Sequence, residues 1–240
     1  MDEWKLQPAR DLGLSLGERW RSLRRESGLI ETAAHVLAWT IVQPYLAVCH
    51  RLAIHGREHL PAEPPFVLVA NHASHLDALV LASSLPWWMR DRVFPIAAGD
   101  TFFETPVVAA FAAGVLNALP MWRRRRGPHA LEQLRQRLLD EPCAYILFPE
   151  GTRSRTGTMA PFRAGLGMLV AETPVSVIPC YLHGTFQALP PDRRWPRLGR
   201  ITLRIGAGLI FSSVPNDRGG WEKIAAATEA AVRYLAGQAV

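Results

Sequence analysis

Few cysteines occur in the 240-residue sequence, and several common sequence patterns are absent from it. Cys49, Cys143 and Cys180 show no paired spacing, which argues against a disulfide or zinc framework and favours a reducing compartment. The N-terminus contains Asp2 and Glu3 and lacks a positively charged region followed by an apolar run, so it does not resemble a signal peptide. Internal repeats, low-complexity segments and signs of a second domain are absent as well.

A complete set of metal ligands and a nucleic-acid-binding pattern are also missing. His50, His55 and His59 are close in sequence, but no second cluster of ligands completes a metal site, so we interpret them as surface residues. The formal charge of +6 favours anionic partners, such as nucleic acid or anionic lipid headgroups. The aromatic residues do not alternate with the basic runs as a stacking platform requires, which argues against nucleic acid.

A polar turn between two apolar runs is the first feature that suggests chemistry. Phe66–Ala70 predicts a buried strand and Ala78–Leu85 a helix, so His72 lies in the turn at the carboxyl end of a strand, where sites form in open α/β sheets. A neutral imidazole can take a proton from a hydroxyl, and a carboxylate such as Asp77 can orient it. The alternative is that Asp77 only completes a capping box with Ser74 and that His72 is an ordinary turn residue.

A second polar turn, Pro149–Ser154, follows another predicted buried strand, Tyr145–Phe148. Its glycine, two hydroxyls and arginine suit an anion, because backbone N–H groups and a guanidinium fork fit a phosphate. A solvated turn explains the same residues about as well.

Together, the two motifs resemble those of the glycerolipid acyltransferases typified by 1-acyl-sn-glycerol-3-phosphate acyltransferase. An Asn-His pair, four residues and an aspartate, followed further along by Phe-Pro-Glu-Gly-Thr-Arg-Ser, match this family in order and spacing, and the resemblance covers roughly Gly56 to Gly184. It implies that an acyl group moves from a CoA or acyl-carrier-protein thioester to the free hydroxyl of a lysophospholipid, most specifically 1-acyl-glycerol-3-phosphate. It implies His72 as general base and Asp77 as the residue that orients it.

The resemblance also implies a set of substrate-binding residues around the acceptor phosphate: Glu150, Gly151, Thr152, Arg153 and, from a second family block at Gly114 to Arg123, Arg123 itself. Arg163 is a further phosphate contact on the same basis. Trp122 stands where that second block has an acidic residue, which leaves other acceptors open, such as a lyso-ornithine lipid or a glycosylated lipid. A fourth family block corresponds to Val175–Pro179. No metal or bound cofactor is implied.

Two alternatives of other classes remain. One is a hydrolase that releases the acyl group to water, with Ser74 as nucleophile and His72 as base. The other is a membrane-binding module without catalysis.

The N-terminal region predicts contact with membrane lipids. Leu16, Trp20 and Leu23 share one helical face among arginines, as in a basic amphipathic helix that lies on an anionic membrane or docks on the domain. The run from Leu29 to Cys49 has nearly the ~20 residues that span a bilayer, but polar residues and Pro44 interrupt it. We predict two short helices broken near Pro44, embedded in one leaflet or packed on the domain, with a single crossing as the alternative.

Three other segments bear on membrane and acyl-chain contact. Trp87 and Trp88 are typical of an interfacial anchor, or they form a partly buried pair. The apolar helix predicted at Pro106–Leu119 either walls an acyl-chain tunnel or is a core helix. Pro190–Gly199 is rich in proline and arginine and predicts an exposed loop.

Length and hydrophobic content complete the fold prediction. A chain of 240 residues, 49% of them hydrophobic, can form one compact domain with an N-terminal extension. We predict a single α/β domain over residues 51–240, with a mostly parallel or mixed sheet flanked by helices, and a helical membrane-associating segment over residues 1–50 at the cytoplasmic face. Further strands are predicted at Val93–Ala97, Pro174–Tyr181 and Ile201–Ile205, and further helices at His129–Leu139, Gly165–Glu172 and Ile224–Leu235.

Overall fold

A computed structural model describes residues 29–98, 118–121, 127–193 and 195–238, together with Gly13 and Glu18. The strands in this part of the chain are β1 (Ala53–His55), β2 (Phe66–Ala70), β3 (Val93–Ala98), β4 (Leu119–Met121), β5 (Ala144–Leu147), β6 (Ser176–His183), β7 (Thr202–Ile205) and β8 (Leu209–Ile210). The α-helices are α1 (Leu29–His50), α2 (Asp77–Ser83), α3 (Gly127–Asp140), α4 (Gly165–Val170), α5 (Thr185–Ala188) and α6 (Arg218–Gly237), with 3-10 helices at Arg57–His59 and Trp87–Arg92.

The strands form one mixed sheet in the order β1-β7-β6-β2-β5-β3-β4, and β8 pairs with β6. The pairs from β6 through β4 are parallel, as is β1 with β7, whereas β7 and β8 run antiparallel to β6. The predicted α/β class with a mixed sheet is therefore confirmed. Because β2 lies between β5 and β6, the turn at its carboxyl end is flanked by the ends of two neighbouring strands.

Helices cover both faces of the sheet, which explains why β2 is an unbroken apolar run with all five residues buried. Phe66 and Leu68 face a core that includes Trp39 and Leu46 of α1 and the apolar side of α2. Val67 and Val69 face a second core built from α3, α4 and α6. The catalytic candidates lie where β2 leaves these two cores.

Most predicted elements are present, with shifted ends. The predicted strand Phe66–Ala70 has the predicted limits, whereas the closing helix α6 is longer than predicted and begins after Asp217, whose side chain accepts a hydrogen bond from Gly220 N–H at 2.7 Å. The predicted helix Pro106–Leu119 lies mostly outside the described residues, and its last residue, Leu119, begins β4 instead. The amphipathic helix around Trp20 also lies outside them.

The prediction of two short helices broken at Pro44 is wrong, because α1 is one helix of 22 residues with Pro44 inside it. Proline removes the N–H that would bond the Thr40 carbonyl, but both residues are exposed and water can reach that carbonyl. The opposite side of the helix, with Trp39 and Leu46, is buried in the first core, and this packing stabilises the helix across Pro44. No helix in the described part of the chain is long and apolar enough to cross a bilayer.

A polar cluster fixes α1 to the 3-10 helix Trp87–Arg92. His35 Nδ1 contacts the Asp91 carboxylate, and Trp39 Nε1 donates to His35 Nε2 at 2.8 Å. The Arg90 guanidinium lies 4.5 Å from the centre of the Trp39 ring. Next to this cluster Trp87 and Trp88 are both exposed, so the alternative of a partly buried tryptophan pair is wrong.

Not every histidine in the 50–59 stretch is a surface residue. His55 and His59 are exposed, but His50 is buried and bonds the Tyr45 hydroxyl at 2.8 Å. His50 is the last residue of α1, where the helix packs on the domain. Its side chain is therefore buried although it is polar. Among the described residues, no group of three His, Cys, Asp or Glu side chains is placed to hold a metal ion.

Candidate active site

The turn after β2 is fixed by two side chains that bond distant backbone groups. Asn71 donates to the Leu182 carbonyl at 3.0 Å and accepts from the Leu182 N–H at 2.8 Å, so it prolongs the pairing of β2 with β6 by one step. Ser74 is buried, donates to the Leu189 carbonyl at 2.7 Å and accepts from the Leu76 N–H at 3.1 Å. These bonds set the path of the chain between β2 and α2.

His72 and Asp77 meet inside this turn, with 2.9 Å between His72 Nδ1 and Asp77 Oδ2. The same Asp77 oxygen accepts the backbone N–H groups of Ala73 and Ser74 at 2.7 and 2.8 Å. The carboxylate therefore bonds the Ser74 N–H, as in a capping box, and also holds the imidazole. The histidine lies before α2 and folds back over its first turn, which begins at Asp77, so Asp77 does not only cap the helix.

Burial differs sharply between the two partners. The Asp77 side chain is fully buried, whereas 15% of the His72 side chain is exposed. Since the carboxylate accepts at Nδ1, that nitrogen carries the proton and Nε2 is left as an acceptor. The pair thus presents a basic nitrogen on a ring that solvent still reaches.

Phe148 stacks on the His72 ring, with 4.0 Å between ring centres and 15° between ring planes. The sequence placed Phe148 at the end of a strand and at the start of the second motif, without a contact to His72. A signal was available, because β2 and β5 are parallel neighbours with Val69 beside Leu147, which brings the residues after both strand ends together. The aromatic face limits rotation of the imidazole.

Glu150 links the two motifs through backbone groups. Its Oε1 accepts the His72 N–H at 2.7 Å and its Oε2 accepts the Ala160 N–H at 2.9 Å, while Ser154 N–H donates to the His72 carbonyl at 2.8 Å. The Glu150 side chain is almost fully buried, and burial raises the pKa of Glu150 although both N–H groups pull it down. With both oxygens engaged by backbone donors, Glu150 positions His72 and the loop in this structure.

Arg153 of the same loop reaches back to the first motif, where its Nη1 contacts His75 Nε2. Arginine only donates, so this His75 nitrogen accepts and the ring is neutral. Burial, and then the charges of Arg153 and His72, lower the pKa of His75 to about 4. His75 was not singled out from the sequence, since a histidine between motif residues gives no signal of its own.

The loop backbone turns sharply at Gly151, where φ is +77°, a conformation that side chains other than glycine rarely adopt. A Cβ at Gly151 would lie 3.0 Å from the guanidinium carbon of Arg163, so that arginine covers the glycine. Thr152 is exposed on the same turn. The structure therefore brings His72, Asp77 and the residues predicted at 150–153 together with Arg163, while Arg123 lies outside the described residues.

Known proteins resemble this chain in sequence and in fold. The acyltransferase family model matches residues 51–183. Mouse 1-acyl-sn-glycerol-3-phosphate acyltransferase alpha is 31% identical over 160 residues, which are 65% of this chain and 53% of that protein. A 1-acyl-sn-glycerol-3-phosphate acyltransferase of Chlamydomonas reinhardtii is 30% identical over 192 residues, 78% of this chain and 53% of that protein.

The chain spans about half the length of these curated relatives. The crystal structure of the 1-acyl-sn-glycerophosphate acyltransferase PlsC from Thermotoga maritima superimposes with a TM-score of 0.62 at 22% identity, covering 86% of this chain and 80% of that one. At this identity the superposition shows a shared fold. Because the family model matches more than half of its residues, this chain belongs to the acyltransferase family.

Proposed function

We propose that this protein transfers a fatty acyl group from an acyl-CoA or acyl-carrier-protein thioester to the free hydroxyl of a lysophospholipid. The proposed acceptor is 1-acyl-glycerol-3-phosphate and the product phosphatidic acid. The observation that carries the proposal is the His72–Asp77 pair at 2.9 Å beside a loop that bears Arg153. Both relatives are named as 1-acyl-sn-glycerol-3-phosphate acyltransferases, which supports the choice of acceptor.

His72 acts as the general base in this reaction. With its Nδ1–H donated to Asp77, Nε2 takes the proton of the acceptor hydroxyl, and the oxygen attacks the thioester carbonyl carbon. The tetrahedral intermediate collapses with cleavage of the carbon–sulfur bond, and the imidazolium returns the proton to the departing thiolate. Asp77 stabilises the imidazolium between these steps.

The loop at 150–153 binds the acceptor phosphate. The Arg153 guanidinium provides charge and forked donors, and Arg163 adds a second guanidinium beside Gly151. Thr152 is exposed on this turn, so an anion can approach it from solvent. Glu150 contributes by holding the loop against His72, and Arg123 is a further proposed contact with the phosphate.

The hydrolase alternative is disfavoured by the position of Ser74. Its hydroxyl is buried and donates to the Leu189 carbonyl, so it neither faces solvent nor contacts His72 through that proton. A lysophospholipid with a different headgroup remains the second candidate acceptor, since Trp122 replaces an acidic residue of the family pattern.

We further propose that the protein lies on the cytoplasmic face of a membrane through its N-terminal residues 1–50, with residues 51–240 as the catalytic domain. The outer side of α1 exposes four apolar side chains, Val36, Leu37, Ile41 and Val48. Trp87 and Trp88 are exposed beside the same helix, and tryptophan prefers the membrane interface. An apolar helix face of this kind lies in one leaflet with its buried side on the domain.

The test is release of free thiol from a long-chain acyl-CoA, measured with and without 1-acyl-glycerol-3-phosphate. We compare the unmodified protein with His72→Ala and with His55→Ala, an exposed histidine on the edge strand β1. Release that needs the acceptor, and that only His72→Ala abolishes, supports the transferase and its base. Equal release without acceptor would favour a hydrolase, and no release with any lysophospholipid would refute the proposal.

A further inference from the structure

The loop from Pro190 to Arg200, called here the 190s loop, exposes two large apolar side chains. Trp195 is 82% exposed and Leu198 is 80% exposed, more than any other large apolar residue in the described part of the chain. The loop holds four arginines against one aspartate, and the described arginines, Arg193, Arg197 and Arg200, are exposed. Exposed apolar tips among cations are costly in water and suit an anionic surface with an apolar interior.

Backbone hydrogen bonds hold this loop at both ends. At its start, the Leu189 carbonyl accepts the Ser74 hydroxyl at 2.7 Å, and Arg197 N–H donates to the Ala188 carbonyl at 2.7 Å. At its end, Gly199 N–H donates to the Cys49 carbonyl at 3.2 Å. The 190s loop is therefore a positioned element between the catalytic turn and the end of α1.

The loop also continues the exposed apolar side of α1. Gly199 pairs with Cys49, so Leu198 and Val48 each lie one residue from this pair, and both are among the most exposed apolar side chains. Ile201 N–H donates to the His50 carbonyl at 2.9 Å, which extends the contact by a second bond. A membrane that touches the end of α1 consequently comes within reach of Leu198.

We infer that the 190s loop is a second contact with an anionic lipid surface, in which Trp195 and Leu198 enter the interface and the arginines bind lipid phosphates. The inference extends the proposed membrane association of α1 to a separate segment of the catalytic domain. It places the lipid surface beside the turn that holds His72, because Ser74 of that turn bonds the start of the loop. A lipid acceptor then reaches the site from the membrane without crossing open solvent.

The experiment measures co-sedimentation of the full chain with vesicles of phosphatidylcholine, with and without phosphatidylglycerol. We expect Trp195→Ala with Leu198→Ala to weaken binding to both kinds of vesicle by about tenfold or more, since two apolar side chains no longer enter the interface. We expect Arg197→Gln with Arg200→Gln to weaken binding by about fivefold per charge on phosphatidylglycerol vesicles and little on phosphatidylcholine alone.

Tyr234→Ala is the matched control. Tyr234 is an aromatic residue, 70% exposed, on α6, and α6 packs on the opposite face of the sheet from α1. We expect this control to bind vesicles like the unmodified protein. All the substituted side chains are exposed, so thermal unfolding of every variant is expected to match the unmodified protein.

Two outcomes overturn the inference. One is unchanged vesicle binding of the Trp195→Ala, Leu198→Ala variant. The other is found if the same variant still binds vesicles but has a lower particle mass in solution than the unmodified protein, measured by light scattering. That result would assign the loop to contact with a second copy of the chain. Vesicle binding needs no turnover, so a protein that binds through the loop but transfers no acyl group keeps this inference and loses the proposed function.

Discussion

Two histidine–aspartate pairs occur in the described chain, and they differ at the second ring nitrogen. In both, Nδ1 contacts a carboxylate, that of Asp77 for His72 and that of Asp91 for His35. The Nε2 of His35 is occupied, since Trp39 donates to it at 2.8 Å and the histidine is buried. His72 keeps part of its ring exposed.

This comparison shows that a carboxylate beside an imidazole does not by itself make a base. A base needs a free acceptor nitrogen that a substrate can reach, and the pair at His35 has used that nitrogen to hold α1 on the domain. The pair at His72 leaves 15% of the histidine side chain exposed, and Phe148 limits the ring orientation.

Removing His72 should affect activity, whereas removing His35 should affect stability. We expect His72→Ala to lower kcat by about 10²–10⁴-fold, the usual contribution of a general base, with a small change in the free energy of unfolding. The measurement is acyl transfer under saturating substrates, together with urea unfolding. A variant that retains more than a tenth of the activity would show that His72 is not the base.

Asp77→Asn should remove the negative charge of this side chain and keep an oxygen that accepts hydrogen bonds. An amide keeps one oxygen for the backbone N–H groups of Ala73 and Ser74 but no longer fixes the tautomer of His72. We expect kcat to fall by roughly 10²-fold or more, because the imidazolium loses its stabilising charge. A pH–rate profile checks this, and an unchanged profile would contradict it.

His35→Ala should lower stability and leave chemistry intact. The substitution leaves the Trp39 indole N–H without its acceptor and opens the contact with Asp91. We expect a loss of about 1–3 kcal/mol in the free energy of unfolding, the usual cost of an unsatisfied buried group. Turnover with a short-chain soluble acceptor should match the unmodified protein, and a large fall in kcat would break the comparison.

The lowered pKa of His75 predicts how the free energy of unfolding depends on pH. Its pKa in the folded protein, about 4, lies below the ordinary value of 6.5, so its contribution to stability is present above pH 6.5 and is lost as the pH falls towards 4. With allowance for solvent screening, we expect a loss of about 1–2 kcal/mol across this window. Urea unfolding between these pH values measures it.

His75→Gln provides the control for this pH dependence. Glutamine keeps an acceptor for Arg153 but does not titrate, so the slope assigned to His75 should vanish. The raised pKa of Glu150 acts in the opposite direction, because its contribution is lost as the pH rises. Glu150 is common to both proteins, so the difference between them isolates the histidine, and equal slopes would refute the assignment.

Ser74→Ala should have the smallest effect. The substitution removes the hydroxyl that bonds the Leu189 carbonyl and the Leu76 N–H, which we expect to cost about 1 kcal/mol in unfolding free energy. Most of the acyl transfer should persist. Complete loss of activity with a folded protein would instead support the serine hydrolase.

Much of the fold was predictable because its signals are local. The buried strand β2, the turn with His72 and the helix after it follow from the order of apolar and polar neighbours. The second motif after β5 was found in the same way, and the resemblance joined the two. The predicted ends were less accurate, as with α6, because helix limits depend on caps such as Asp217.

Local sequence patterns were enough to predict the strands β2, β3, β5, β6 and β7 and the two polar turns, and the resemblance to the family added the pairing of His72 with Asp77. Tertiary folding decided the bond of Asn71 to Leu182 across 111 residues and that of His72 N–H to Glu150 across 78. It also decided that α1 continues through Pro44 and that Trp87 is exposed. These features depend on which surfaces meet after folding, and the free energy of that packing outweighs the local preferences that a sequence pattern records.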